Sequence, residues 1–172
     1  FVTGLTVESL AADLQSFVPG RKVDDNAHVL LRFGGGARGM LWSSQVAPGN
    51  ENALRLRVYG ETGGIEWAQE QPNHLWHTPF GEPKRLITRS GASAGPAAAR
   101  VSRVPAGHPE GYLEGFATLY SEAAAAIEAH RNGEPCPAGV VYPTVQDGLR
   151  GVAFVDACVR SSARNAAWVA LG

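Results

Sequence analysis

Cysteine, clustered basic charge and long apolar runs are all scarce in this chain, and each scarcity excludes something. Two cysteines, Cys136 and Cys158, among 172 residues are too few for a disulfide framework. They point to a reducing, cytoplasmic compartment. The 15 Lys and Arg are matched by 16 Asp and Glu and form no basic run, so nucleic acid is not an expected partner. No apolar stretch approaches the roughly eighteen residues of a membrane span. The amino end has no basic region leading into an apolar one, so no signal peptide is read there. A G-x-S-x-G elbow is missing, which leaves hydrolase chemistry of that kind without support. Hydrophobic residues at 44% and charged residues at 18% fit an ordinary globule with a packed core.

What is present reads as strands first and helices after. Residues 6–18 are apolar with polar breaks, stopped by Pro19-Gly20. Asp24-Asp25-Asn26 reads as a turn. Val29, Leu31 and Phe33 alternate with His28, Leu30 and Arg32, which gives a strand with two unlike faces. Met40, Trp42 and Ser44 alternate with Leu41, Ser43 and Gln45 in the return strand, and Leu54, Leu56 and Val58 with Arg55, Arg57 and Tyr59 in the next. Gly60 to Gly64 turns the chain into the short strand Ile65-Glu66-Trp67. His74 to Thr78 and Lys84 to Thr88 make a further hairpin. Ser90 to Gly107, rich in Ala, Gly, Ser and Pro, reads as a long surface loop.

The back half is helical. One helix is expected from about Pro109 to Arg131, with Pro109 in its first turn, Glu110 at its positive end and Asn132-Gly133 as its stop. Leu113, Phe116, Tyr120, Ala123, Ala124 and Ile127 give it a core-facing stripe. Thr144 caps a second helix with Asp147 three residues on, and Leu149, Val152, Ala153 and Val159 form its stripe. Trp168 to Leu171 returns as a last strand. The expected fold is one α+β domain over residues 1–172: a predominantly antiparallel, open-faced sheet with helices on one face. Its other face, with Trp42 and Tyr59, points to burial against a partner.

Several motifs carry less than they suggest. Gly34-Gly35-Gly36-Ala37-Arg38-Gly39 matches G-x-G-x-x-G, but a strand rather than a helix follows it, so it reads as a hairpin turn. His74 and His77, three apart on a strand, point to opposite faces and are poor co-ligands for one metal. Both cysteines read as structural. A polar constellation is stronger. Trp42 and Gln45 end one strand, Asn50 lies in the loop after it, and His108, Glu110 and Tyr112 stand at a helix entrance. Hydroxyls of a sugar or polyol need such donors and acceptors, with an aromatic face for the ring's C–H groups. The local alternative is that Asn50 satisfies a turn, His108 caps a helix and Tyr112 is core.

The chain resembles the carboxy-terminal domain of the Gfo/Idh/MocA oxidoreductases. The resemblance rests on residues 25–33, Gly36-Ala37-Arg38-Gly39, Ser44-Gln45, residues 57–67, Gly107-His108-Pro109-Glu110-Gly111-Tyr112 and Asp147-Gly148-Leu149. It implies a two-part enzyme in which an amino-terminal Rossmann domain binds NAD or NADP. The present kind of domain would close the substrate site and pair its open sheet with another subunit, as a homo-oligomer. Substrates would be sugars, polyols or related compounds, and the reaction hydride transfer. The family's cofactor loop and catalytic residues have no counterparts in this chain, and Phe1 to Gly4 reads as the remnant of a preceding helix. By itself the chain should neither bind NAD tightly nor turn over substrate. The resemblance implies substrate contacts from His108 and Tyr112, then Trp42, Gln45 and Asn50. A free-standing dimerisation or carbohydrate-binding module is the other reading.

Overall fold

A computed structural model of the chain describes residues 2–171. In chain order the elements are β1 (Val7–Gln15), β2 (Asn26–Phe33), β3 (Arg38–Ser44), β4 (Arg55–Gly60), β5 (Gly63–Ala68), β6 (His74–Pro79), β7 (Arg85–Thr88), α1 (Pro96–Val101), α2 (Tyr112–Asn132), α3 (Val145–Ser162) and β8 (Val169–Ala170). The strands form two four-stranded sheets, ordered β3-β2-β1-β8 and β4-β5-β6-β7, and all pairings are antiparallel. The α+β class, the open antiparallel sheets and the strand alternation are as the sequence leads one to expect. The division into two sheets is not, because alternation tells which face a side chain takes and not which strand is its neighbour. Among residues 2–4 there is no helical turn, and Phe1 lies outside the described residues.

The first unit comprises residues 2–49 and 143–171. Its core is Leu10 and Ala12 of β1, Val29 of β2, Ala157 and Cys158 of α3 and Val169 of β8. Register puts Leu10 opposite Leu31 and Ala12 opposite Val29, so these side chains share the face that α3 covers. Burying a side chain such as Leu10 contributes about 1.5–3 kcal/mol. Burial also pushes the Cys158 thiol pKa up.

The stripe expected on α3 is corrected here. Leu149, Val152 and Val159 are exposed, and the buried residues are Ala157, Cys158 and Ser161. Small side chains let the helix lie close over the sheet, whereas valines at similar spacing would hold it off. β8 pairs with β1 only at Ser9 and Leu10. Beyond that, side chains continue the ladder. The Ala12 N–H donates to Ser161 Oγ at 2.8 Å and the Leu14 N–H to Ser162 Oγ at 3.1 Å. Ser161 in turn donates to the Ala167 carbonyl at 2.7 Å.

The β1–β2 loop closes on a carboxylate. Asp25 is buried and accepts from the Phe17 and Val18 N–H groups at 2.9 and 3.0 Å. These bonds, with Arg21 beside them, hold its pKa below the usual aspartate value. Asp24-Asp25-Asn26 is therefore more than a turn: Asp25 latches the loop and Asn26 already belongs to β2. Gly34–Gly36 makes one 3-10 turn between β2 and β3. Gly35 and Gly36 sit at φ 76° and 90°, which favours glycine over any side chain.

The second unit is Asn50–Tyr142. In its sheet, Arg57 and Glu66, like Glu66 and Trp76, are opposite partners on one face; Val58, Ile65 and His77 lie on the other. Lys84 bonds Glu66 at 2.8 Å and holds that carboxyl below its usual range. His74 and His77 lie on opposite faces of β6, opposite Thr88 and Arg85.

The loop expected over 90–107 contains α1, opened by Pro96 at its first turn. Arg100 of α1 donates to the buried Glu122 of α2 at 2.6 Å, and the Val141 N–H donates to the same carboxylate at 2.7 Å. Both bonds depress its pKa, Arg100 more. The apolar stripe expected on α2 is also corrected. Leu113, Phe116, Tyr120 and Ile127 are exposed, and the residues buried on α2 are Glu122 and Ala129. Gly133, at φ 70°, ends α2, as its place after Asn132 suggests.

Candidate functional site

The segment from the end of β7 to the start of α2 is organised by one ion pair. At the end of β7 the Arg89 N–H donates to the Asn73 carbonyl and its Nε to Asn73 Oδ1 at 2.7 Å. Ser90 then turns the chain at φ 56°. The rest of the guanidinium reaches the Ser90 hydroxyl at 3.1 Å and the carbonyls of Val104, Pro105 and His108 at 2.7, 3.1 and 2.7 Å. It also meets Glu110 at 3.0 Å, with the two side chains only 14% and 8% exposed. Glu110 accepts in addition from the Arg103 and Val104 N–H groups at 2.9 and 3.0 Å. The stretch 103–110 is thus a closed loop stapled at both ends to the same pair.

This corrects the expected start of α2. Glu110 does not sit at the helix dipole, and Pro109 is not its first turn. The helix begins at Tyr112, where the Gly111 N–H donates to Glu114 at 2.8 Å. That bond holds the Glu114 carboxyl below its usual range. A Cβ on Gly111 would lie 3.1 Å from Pro72 Cγ, so a side chain there needs the proline ring to give by a few tenths of an ångström.

His108 and Tyr112 stand on either side of this junction. The His108 backbone is pinned, its N–H donating to the Pro105 carbonyl and its own carbonyl accepting from Arg89. The ring is exposed, with Nδ1 at 3.3 Å from the Ala106 carbonyl. Tyr112 is 68% exposed, its ring 4.8 Å from that of Phe116. Beside them an open cleft of about 360 Å³ is lined by Glu70 to His74 and by Pro109, Glu110 and Gly111. Asn50 is an exposed residue of the same unit. Its loop is tied to the cleft's rim by Asn52 bonding Gln69 at 3.1 Å and the Ala53 N–H bonding Glu70. Imidazole and phenol groups exposed on either side of one junction can both donate to and accept from hydroxyls.

Trp42 and Gln45 belong to the first unit. Trp42 stacks on His28, the rings 6.2 Å apart and parallel, and its indole N–H donates to Asn26 Oδ1 at 2.9 Å. It shares the outer face of the first sheet with Leu30 and Met40, and the three are 57%, 55% and 72% exposed. Gln45 is exposed, its N–H bonded to the Asp25 carbonyl at 2.7 Å. The residue that sequence reasoning missed is Arg89. Its only signal is an arginine ending a strand ahead of a glycine- and proline-rich loop, which is common.

Residues 5–171 match the model of the Gfo/Idh/MocA family described as "Oxidoreductase family, C-terminal alpha/beta domain". The chain is 34% identical over 167 residues to the uncharacterized oxidoreductase YfiI of Bacillus subtilis, which covers 96% of this chain and 42% of that protein. It is similar to the crystal structure of an oxidoreductase from Sinorhizobium meliloti, with 66% identity, a TM-score of 0.92, and coverage of 98% of this chain and 48% of that one. An inositol dehydrogenase homolog from Azotobacter vinelandii, complexed with NADH and myo-inositol, matches at 35% identity and a TM-score of 0.92, over 98% of this chain and 45% of that one. The chain spans rather less than half the length of these relatives. It belongs to the Gfo/Idh/MocA oxidoreductases, as the family's C-terminal alpha/beta domain.

Proposed function

We propose that the chain is the substrate-binding and oligomerisation domain of an NAD(P)-dependent oxidoreductase that acts on a sugar, polyol or related compound by hydride transfer. The observation that carries the proposal is the pair His108 and Tyr112, exposed on either side of a junction whose backbone is fixed by Arg89 and Glu110. The pair can bond adjacent hydroxyls, with Asn50 of the same unit as a further contact. Relatedness to a protein crystallised with NADH and myo-inositol supports the substrate class and the nicotinamide.

The glycine-rich stretch of this chain does not fit a dinucleotide. This G-x-G-x-x-G stretch joins two strands of a hairpin, whereas a pyrophosphate cradle opens a helix. The proposal therefore includes a separate Rossmann domain of the same protein as the cofactor's seat. The exposed outer face of Leu30, Met40 and Trp42 supports a homo-oligomer built on the first sheet. Two unpaired cysteines support a reducing, cytoplasmic setting.

The test is reduction of NAD+ and NADP+ by the full-length protein with a panel of polyols and sugars, myo-inositol first. His108→Ala and Tyr112→Phe should each raise substrate KM by about ten-fold, the loss of one hydrogen bond to a hydroxyl. No nicotinamide reduction with any member would overturn the activity. Unchanged KM and kcat in both variants would overturn the site.

A further inference from the structure

Arg89 has more to hold than a surface loop requires. Its guanidinium meets Asn73 Oδ1, the Ser90 hydroxyl, the carbonyls of Val104, Pro105 and His108, and the Glu110 carboxylate. A planar fork of five N–H donors suits that arrangement. The acceptors are concentrated on the stretch just before Tyr112, and one is the carbonyl of His108 itself. The grip is on the His108 backbone and not on its imidazole, which is exposed with Nδ1 3.3 Å from the Ala106 carbonyl. Glu110 fixes the other side of the loop by accepting the Arg103 and Val104 N–H groups.

We propose that Arg89, paired with Glu110, is a positioning residue for the substrate: it acts through the backbone of residues 103–111 to set the placement of His108 and Tyr112. The inference rests on the substrate site proposed above. Neither side chain needs to touch the substrate, and replacements of similar size are informative. A lysine at 89 offers three donors from one point and cannot reach all of these acceptors. A glutamine at 110 turns one acceptor oxygen into an N–H₂ group facing backbone N–H donors.

The experiment compares Arg89→Lys and Glu110→Gln with the unaltered full-length protein. Kinetics use NAD+ with the polyol that the panel identifies, myo-inositol as first probe, and amide hydrogen exchange is measured without substrate. Both variants should lose about 10- to 100-fold in kcat/KM for the polyol, mostly through KM, with KM for NAD+ unchanged. Exchange should speed up across 103–111 while β4–β7 stay protected. Wild-type kcat/KM in Arg89→Lys would overturn the proposal. So would parallel losses toward polyol and NAD+, the mark of a merely structural role. If His108→Ala and Tyr112→Phe impair polyol KM while Arg89→Lys is silent, only the positioning role falls. If those two are silent, the site reading falls with it.

Discussion

Replacing Ser161 with alanine tests the claim that side chains complete the first sheet. The Ser161 side chain is fully buried, accepts from the Ala12 N–H at 2.8 Å and donates to the Ala167 carbonyl at 2.7 Å. Alanine fills nearly the same space, so packing changes little. Two polar groups lose their partner, and the buried Ala12 N–H has no strand beside it, because β8 pairs only with Ser9 and Leu10. An unsatisfied buried donor costs about 1–3 kcal/mol, and the lost bond to the carbonyl adds about 1 kcal/mol. The expected destabilisation is about 2–4 kcal/mol. With a urea slope of about 2 kcal/mol per molar, the midpoint should fall by roughly 1–2 M. Ser162→Ala is the internal control. It removes one longer, half-buried bond to the Leu14 N–H and should cost about 0.5–1.5 kcal/mol. Hydrogen exchange at Ala12 should rise in Ser161→Ala alone. The reasoning is refuted if the two variants are equally stable, or if the Ala12 amide stays as protected as in the unaltered chain.

Two further outcomes follow from the same geometry. Asp25 and Glu122 have folded-state pKa values depressed by the groups that donate to them. Their stabilisation is therefore fully present above the unfolded-state value of about 4, and is lost as pH falls through the lower folded value. Urea midpoints should be flat from neutrality to about pH 5 and drop below about pH 4, less steeply in Asp25→Asn; an unaltered acid slope in that variant would sink the assignment. Gly63 stands at φ 155°, where a Cβ would lie 2.5 Å from the Thr78 carbonyl oxygen. Gly63→Ala should cost about 2–4 kcal/mol by denaturant titration. Gly81→Ala should cost less, since its Cβ meets nothing within 4 Å.

Strand alternation was legible because it is local. His28 faces Trp42, and Leu56 faces Trp67, as period two requires. The Thr144–Asp147 box was legible too, since its partners are three residues apart. The start of α2 was misread because Glu110, an ordinary first-turn residue by type, is taken by Arg89 from another element. The α3 stripe was misread because two apolar sets share helical spacing, and only close approach to the sheet selects Ala157 and Cys158 over Val152 and Val159. α1 left a signal, Pro96 ahead of three alanines, that the glycines around it masked. At the candidate site the exposed side chains were readable by type. The hidden arginine that orders them was not, because its partners come from distant stretches of chain.

The bond from Ala12 to Ser161 spans 149 positions, and this distance along the chain dictates an order of events during synthesis. The second unit is continuous, so all of its strands and helices leave the ribosome before any of α3 does. β1, β2 and β3 are made before the second unit, yet Ala157, Cys158 and Val169, with which Leu10, Ala12 and Val29 form their core, arrive only after Pro143. Of these two units, the one that begins first must finish last. Through that interval its nascent sheet carries a bare apolar face, the state in which chains of this topology most need a chaperone.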